Sequence, residues 1–338
     1  MAGRANTKEL WINNENIIKK SNDFSMAKLS QGLTLNQMQL LAYAIYATQQ
    51  DGSTTFIKSD FEKKFDMEQY KTAHAKEDSD KIMSLKISTS DLEADSFEFV
   101  RVFRKMNYTK GTFRFEWDED MVPHILDLKD KYIRTDLKIA TKFSSGFSWT
   151  FYDYLKAHYG YWYKTLSKDA LMKLFGVEKK ASYQKNTGLF KKKVLDIAME
   201  EVNEYTEINV KYEEVKNGRT IVGFKLIWST GNVIHKASEK QLDILKGIIE
   251  VILEDRLMYM KIKDDTNKIR ALEIMETLQE VKDKYLNSDV GLASDKCNEL
   301  TKKANDCLEA LNLLLKDSGK ETLKPRVPLH DWLAEYRN

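Results

Sequence analysis

Residues 182–205, SYQKNTGLFKKKVLDIAMEEVNEY, constrain the fold of this chain more than any other stretch. The apolar residues recur at steps of three and four, which places them on one face of a single helix: Phe190, Val194, Ala198, Val202 and Tyr205. Lysines occupy the first half of the stretch and glutamates the second half. We therefore predict one amphipathic helix over 182–205 whose outer face is basic toward its N-terminus.

A hairpin follows this helix in the sequence. Two strand-like runs, 207–212 and 220–228, flank the basic turn Lys216-Asn217-Gly218-Arg219. A helix with a basic N-terminal outer face, followed by a basic-tipped hairpin, is typical of a winged helix-turn-helix, which inserts the N-terminal half of its second helix into the major groove. The pattern predicts a module that reads double-stranded DNA.

The first part of the chain repeats this order of elements. A capping box at Thr34 begins a first helix, a second capping box at Ser59 begins a short one, and a third helix is expected within 77–85. Residues 96–108 then alternate between two faces as one strand, and Thr109-Lys110-Gly111 forms the turn of a hairpin. The chain is therefore predicted to hold two successive modules of the same architecture. The stretch KFSSG at 142–146 is the best candidate for the boundary between them.

The chain changes character after residue 237. Amphipathic patterns predict helices near 242–253, 264–286 and 293–316, without strand signals, so we expect a helical hairpin or bundle. At the C-terminus, Leu329, Trp332 and Leu333 form a short apolar cluster. Two interpretations of this cluster stay open: a partner-docking peptide, or a segment that packs back on the body of the protein.

Overall charge does not indicate a nucleic-acid partner, because 54 basic and 52 acidic residues leave a net charge of +2. Any binding signal must therefore be local.

Catalytic signatures are missing: the five histidines lack metal-ligand spacing, and no phosphate-binding glycine-lysine loop or nucleophile elbow occurs. The two cysteines are expected to be reduced bystanders. We expect neither enzyme activity nor a cofactor or metal.

Membrane and export signals are also missing from the sequence. No apolar run reaches the roughly 18 residues of a membrane span, and the N-terminal residues lack the apolar core of a secretory signal. The expectation is a cytoplasmic protein.

The candidate DNA contacts are cationic or amide side chains on the outer helix face and the wing tip. In the second module they are Lys185, Asn186, Lys191, Lys192, Lys193, Lys216 and Arg219. Asn186 is the best base reader by its chemistry, and Lys191, at the edge of the apolar arc, is expected to reach a phosphate instead. Weaker candidates in the first module are Lys81, Arg104 and Lys110. Lysines also commonly solvate an exposed helix face, so the argument rests on their position within the architecture.

Aromatic residues cluster where the second module begins. They are Trp149, Tyr152, Tyr154, Tyr161, Trp162 and Tyr163. Such a cluster can stack the bases of a single strand, but aromatic residues at helical spacing more often form a core, and we expect a core.

Four stretches, taken together, resemble the replication initiator proteins of iteron-carrying, theta-replicating plasmids. They are IIKKSNDF with LTLNQMQLLAYAI, FVRVFRKMNYTKGTFRFEW, KFSSGFSWTFYDYLKAHY, and LFKKKVLDIAMEEVNEYTEINVKYEEVKNGRTIVGFKL. The resemblance covers about residues 17–228, and the order and spacing of the stretches are more specific than any one alone. The resemblance implies two winged-helix domains and a monomer that binds repeats in the origin DNA. It also implies a dimer, in equilibrium with the monomer, and in this family the dimer often represses its own promoter.

The resulting expectation is an α+β protein with two tandem winged-helix domains followed by a helical C-terminal region. Its parts are a flexible N-terminal arm (1–23), a first winged helix for dimerisation and auxiliary DNA contacts (24–143), a second winged helix with the main recognition helix (144–232), a helical hairpin or bundle (233–318) and a tail peptide (319–338). The expected partners are double-stranded origin DNA, a second copy of the chain and host replication proteins such as a helicase.

Two other functions stay open on the sequence. One is a winged-helix transcriptional repressor without an initiator role. The other is a scaffold whose helical C-terminal region is the active part and whose winged helices bind only protein.

Overall fold

The structure is a computed structural model that describes residues 6–29, 32–91, 96–126, 128, 131–158, 162–254, 257–287 and 291–324. The chain divides into two compact units. The first comprises residues 1–10 and 16–233, and the second comprises residues 11–15 and 234–338. The apolar cluster of Leu329, Trp332 and Leu333, for which the sequence left two interpretations open, lies outside the described residues.

The strands of the described chain are β1 (Glu9–Asn13), β2 (Ile17–Ser21), β3 (Thr55–Ile57), β4 (Lys86–Asp91), β5 (Ser96–Arg101), β6 (Phe103–Thr109), β7 (Thr112–Trp117), β8 (Tyr132–Asp136), β9 (Tyr163–Ser167), β10 (Ile208–Asn217), β11 (Thr220–Thr230) and β12 (Asn232–Lys236). They form three-stranded sheets of order β3-β7-β6 and β10-β11-β9 and the two-stranded sheets β1-β12, β2-β8 and β4-β5.

The α-helices are α1 (Asn22–Leu29), α2 (Leu35–Asp51), α3 (Lys58–Lys64), α4 (Thr72–Met83), α5 (Leu137–Ala140), α6 (Gly146–Ala157), α7 (Lys168–Leu174), α8 (Ala181–Lys185), α9 (Thr187–Phe190), α10 (Asp196–Tyr205), α11 (Glu239–Leu253), α12 (Asp265–Val281) and α13 (Ser294–Asp317). A π-helical turn, Lys191–Leu195, joins α9 to α10. We call α9, this turn and α10 together the recognition helix.

The first winged helix is built from α2, β3, α3, α4, β6 and β7. Aromatic side chains fill its core: the ring centroids of Phe56 lie 4.8 Å from Tyr43 and 4.9 Å from Phe113. The capping box at Thr34 is confirmed, because its side chain accepts from Gln37 N and the Gln37 side chain accepts from Thr34 N. The capping box at Ser59 is wrong. Ser59 lies inside α3, whose N-cap is Ile57 without a side-chain cap.

The long strand predicted over 96–108 is divided at Val102. Its first part, β5, pairs with β4, and its second part, β6, pairs with β7. Val102 is buried and donates its N–H to the Leu85 carbonyl, while its own carbonyl accepts from Asp118 N, each at 3.2 Å. The period-of-two pattern of side chains runs through both β5 and β6, so the sequence could not show that the pairing strand changes at Val102. The helix expected within 77–85 is α4, which begins earlier, at Thr72.

The second winged helix repeats the order of the first, with α6, β9, α7, α8, the recognition helix, β10 and β11. The correspondence extends to the sheets, since β9-β11-β10 has the same order as β3-β7-β6. Phe190 is fully buried in the core, with ring centroids 6.4 Å from Phe175 and 6.3 Å from Phe224. The sequence-based prediction of two successive winged helices is therefore confirmed. The boundary at residues 143 and 144 stays a prediction.

Residues 6–23 are not the flexible arm that the polar composition of the N-terminal stretch suggested. Residues 17–21 form β2, which pairs with β8 of the same unit, and β1 precedes it. Asn6 donates to the carbonyls of Glu207 and Ser229 at 2.9 and 3.0 Å. Lys8 Nζ donates to the Ile208 carbonyl at 2.9 Å. These bonds span about 200 positions in sequence, so no local pattern in residues 1–23 could predict them.

The second unit contains the predicted helices as α11, α12 and α13. Their apolar faces meet in one core that includes the fully buried Leu245, Ile249 and Leu311. A capping box between Ser238 and Gln241 begins α11. The expected helical C-terminal region is confirmed in this part of the chain.

Candidate nucleic-acid interface

The recognition helix begins at Thr187 and not near Ser182 as the sequence suggested. Asn186 has an extended backbone, with φ −125° and ψ 95°, and separates α8 from α9. Its Oδ1 accepts the Leu189 N–H at 2.9 Å, so Asn186 is the N-cap of the helix. A bidentate contact with adenine needs both the carbonyl oxygen and the amide of an asparagine. The capping bond uses one lone pair of the oxygen that such a contact needs, and the base-reading role of Asn186 stays a prediction.

The predicted apolar face of the recognition helix is confirmed. Phe190, Val194, Ala198 and Val202 are fully buried, and Tyr205 is half-buried. Leu195 is buried as well, next to Val194, at the end of the π-helical turn. In this turn, the Asp196 N–H bonds to the Lys191 carbonyl, five residues back.

The predicted lysines of the helix separate into two groups. Lys192 and Lys193 are exposed, and no described residue forms an ion pair with either of them. Lys185, at the end of α8, is exposed too. Lys191 instead points toward the hairpin, where its Nζ lies 2.5 Å from Glu214 Oε1. The outer face of the helix therefore presents Lys192 and Lys193 to solvent.

The wing is the distal end of the β10–β11 hairpin, beyond the five residues of β11 that pair with β9. Gly218 forms its turn with φ +61°, a conformation that favours glycine. Arg219 at the tip is exposed, and Lys216 beside it is half exposed. Lys216 Nζ lies 3.0 Å from Glu214 Oε2, so the same carboxylate contacts both Lys191 and Lys216. These two hydrogen bonds, that of Lys191 first, hold the pKa of Glu214 below its usual range.

Lys168 contributes to the site although the sequence analysis did not select it. Its Nζ donates to the Gln184 carbonyl at 2.7 Å and to Thr187 Oγ1 at 3.0 Å. It thereby joins the start of α7 to the end of α8 and the start of the recognition helix. Ser167 is the N-cap of α7, and a lysine directly after a cap gives no sign in the sequence of such a role.

The predicted contacts of the first module lie on three different elements. Lys81 is half-buried in the last turn of α4, and Lys110 is exposed at the turn between β6 and β7, where its φ is +47°. Arg104 on β6 forms an exposed ion pair with Glu119 at 2.9 Å. Lys81 is therefore the least accessible cation of the three.

The aromatic cluster is divided between core and surface. Trp149, Tyr152 and Tyr154 are buried, as expected of a core. Trp162 and Tyr163 are exposed by 67% and 62% at the start of β9. Tyr161 lies outside the described residues.

The described residues contain neither a metal-binding cluster nor a membrane-spanning helix. No group of three or more histidine, cysteine, aspartate or glutamate side chains is arranged to hold a metal ion. Within the same residues, no helix combines the length and the apolarity needed to cross a membrane.

The chain resembles proteins of known structure. A crystal structure of the Pi initiator protein in complex with iteron DNA matches 65% of this chain and 99% of the Pi chain, with 19% identity and a TM-score of 0.50. Domains 2 and 3 of RctB match 58% of this chain and 82% of theirs, with 8% identity and a TM-score of 0.36, which supports no inference. No curated protein sequence matches the chain.

Family models give the more specific result. The model described as "Initiator Replication protein, WH1" matches residues 17–156, and the one described as "Initiator Rep protein, WH2" matches residues 167–228. The first match extends from β2 into α6, and the second extends from the end of β9 into β11. The two models follow each other in the order of the modules, and the likeness to the Pi initiator supports the same fold. The chain therefore belongs to the initiator replication (Rep) protein family.

Proposed function

We propose that this chain initiates plasmid replication by binding direct repeats in origin DNA through its second winged helix. One observation carries the proposal: the recognition helix buries its apolar face and exposes Lys192 and Lys193 in its N-terminal half, beside a wing with Arg219 at the tip. The Pi initiator, which has the same fold, is in complex with iteron DNA. We propose the same class of ligand for this chain.

The geometry suits a helix in the major groove and a wing on the backbone. The N-terminal half of a recognition helix enters the groove in helix-turn-helix docking, and Lys192 and Lys193 lie in that half. Lysine Nζ groups bind phosphates and the acceptor atoms of guanine. Lys185, just before the helix, would contact the adjoining phosphates, and Arg219 would contact the backbone or the minor groove at the wing.

The first winged helix would add auxiliary contacts. Lys110 at its hairpin turn is exposed, and Lys81 and Arg104 would support it from neighbouring elements. Two reading modules on one face of the duplex fit repeats of about two helical turns, roughly 20 base pairs. In the same proposal the protein acts in the cytoplasm without catalysis, exchanges between monomer and dimer, and recruits host replication proteins.

A footprint and a replication assay test the proposal together. We expect the protein to protect direct repeats near its gene, and the Lys192→Ala/Lys193→Ala variant to lose both the footprint and plasmid maintenance. Lys302→Ala/Lys303→Ala is the matched control, because these lysines are also adjacent and exposed, but lie on α13.

The outcomes also separate the alternatives. A footprint at a promoter, with replication that continues without the gene, would show a repressor and contradict the initiator role. The absence of any specific footprint would contradict DNA reading altogether and favour a scaffold.

A further inference from the structure

Glu214 on the wing strand contacts two of the cations that were predicted to meet DNA. Its Oε1 lies 2.5 Å from Lys191 Nζ on the recognition helix, and its Oε2 lies 3.0 Å from Lys216 Nζ on the wing. The side chains of Glu214 and Lys191 are only 23% and 25% exposed, so water screens this contact less than it screens a surface pair. One carboxylate thus offsets the charge of a lysine on each DNA-facing element.

A second contact fixes the same two elements. Tyr212 OH, two residues before Glu214 on β10, donates to Asp196 Oδ1 at 2.7 Å. Lys191 Nζ also lies 5.7 Å from the centre of the Tyr212 ring. Lys191 lies in the π-helical turn and points toward β10, while Lys192 and Lys193 in the same turn are exposed. The recognition helix and the wing are therefore joined through defined polar contacts.

Phosphate oxygens and a carboxylate compete for the same ammonium groups. Binding to duplex DNA of unrelated sequence depends almost entirely on the number of phosphates that the protein neutralises. We propose that Glu214 is a positioning residue that holds Lys191 and Lys216 away from phosphates and so limits binding to non-specific DNA, while fixing the wing against the recognition helix. The inference rests on the proposed DNA-reading function.

The salt dependence of binding distinguishes this role from a purely structural one. The full chain and its Glu214→Gln variant would be titrated with a duplex of unrelated sequence at about 50 to 200 mM salt. Each additional phosphate contact steepens the slope of log K against log salt by about 0.9, so we expect a slope steeper by about 1 to 2. The variant should also bind this duplex several-fold more tightly than the wild type at the lower salt concentration.

Glu213→Gln is the matched control. It removes the same charge at the neighbouring position of β10, where the side chain points to the other face of the strand and lies 3.6 Å from Lys225. We expect it to keep the wild-type slope. Adding Lys191→Ala and Lys216→Ala to Glu214→Gln should return the slope to the wild-type value or below it.

Equal slopes for Glu214→Gln, Glu213→Gln and the wild type would overturn the role of Glu214 while leaving DNA binding intact. A lower melting temperature of Glu214→Gln without a steeper slope would likewise show a structural role only. A wild-type protein that bound neither repeat nor unrelated duplex would instead contradict the proposed function, and this inference with it.

Discussion

Lys20 on β2 and Asp153 on α6 form a buried ion pair, with 2.5 Å between Nζ and Oδ2 and side chains that are 1% and 0% exposed. Thr135 Oγ1 on β8 also donates to Asp153, at 3.4 Å. The pair thus joins a strand near the N-terminus to the helix that begins the second winged helix. Such a pair matters less for its net attraction than for the cost of leaving one charge alone in the interior.

Asp153→Ala should therefore destabilise the protein by about 3–5 kcal/mol, because it leaves the Lys20 ammonium buried without its carboxylate. The double replacement Lys20→Met/Asp153→Leu should cost clearly less, since neither charge remains. Urea denaturation measures both. Glu119→Ala, which breaks the exposed pair with Arg104 in the same unit, is the control and should leave the unfolding transition unchanged. Equal losses for the single and the double variant would contradict this interpretation.

Acid should weaken the first winged helix through Glu62. Its Oε1 accepts the Tyr70 N–H at 2.6 Å, and this bond, more than the nearby Lys58, holds the pKa of Glu62 below its ordinary value of 4.5. A carboxylate whose pKa is lower in the folded state stabilises the protein above the unfolded pKa and loses this contribution as the pH falls through the folded pKa. The stabilisation by Glu62 is thus complete above about pH 4.5 and is lost below it.

The stability of Glu62→Gln should accordingly fall below that of the wild type at neutral pH and approach it in acid. Thermal unfolding across the pH range measures the difference. Lys58→Ala should keep most of the pH dependence, because the hydrogen bond from Tyr70 is the larger cause. A constant gap between wild type and Glu62→Gln at every pH would refute the assignment.

The capping role of Asn186 leads to a third prediction. Asn186→Ala should cost about 1 kcal/mol of stability, because the Leu189 N–H at the start of the recognition helix loses its acceptor. Asn186→Ser should retain the stability, since serine is an equally good N-cap. If the cap is the main role, Asn186→Ser should also retain the affinity for the repeat duplex. A stable Asn186→Ser variant with reduced affinity would instead support the base-reading role.

Local signals were sufficient to predict most helices and the candidate interface. Thr34 caps α2 as the sequence predicts, and Ser167 and Gly176, with its left-handed φ of +64°, flank α7 as residues of their types commonly flank a helix. The spacing of Phe190 and Val194 predicts which face of the recognition helix is buried. It therefore also predicts which lysines are exposed to solvent. These features depend on neighbours within a few residues, so they can be read from one sequence.

Long-range contacts account for what the sequence did not show. The pairing of β2 with β8 and the hydrogen bonds of Asn6 join positions more than 100 residues apart. The contact of Lys191 with Glu214 joins the recognition helix to a strand position 23 residues further along the chain. A regular helical wheel places Lys191 only at the edge of the apolar arc, and therefore could not name its partner.

We propose that Lys192 and Lys193 read origin DNA from the exposed face of the recognition helix. The most direct measurement is the equilibrium affinity for a direct-repeat duplex, at fixed salt, of the wild type, Lys192→Ala/Lys193→Ala and Lys302→Ala/Lys303→Ala. Circular dichroism would establish that all three are folded. We expect the first variant to bind at least about 100-fold more weakly, or about 2.7 kcal/mol, with a shallower salt slope, and the second to bind like the wild type. Unchanged affinity of a folded Lys192→Ala/Lys193→Ala variant would contradict the claim.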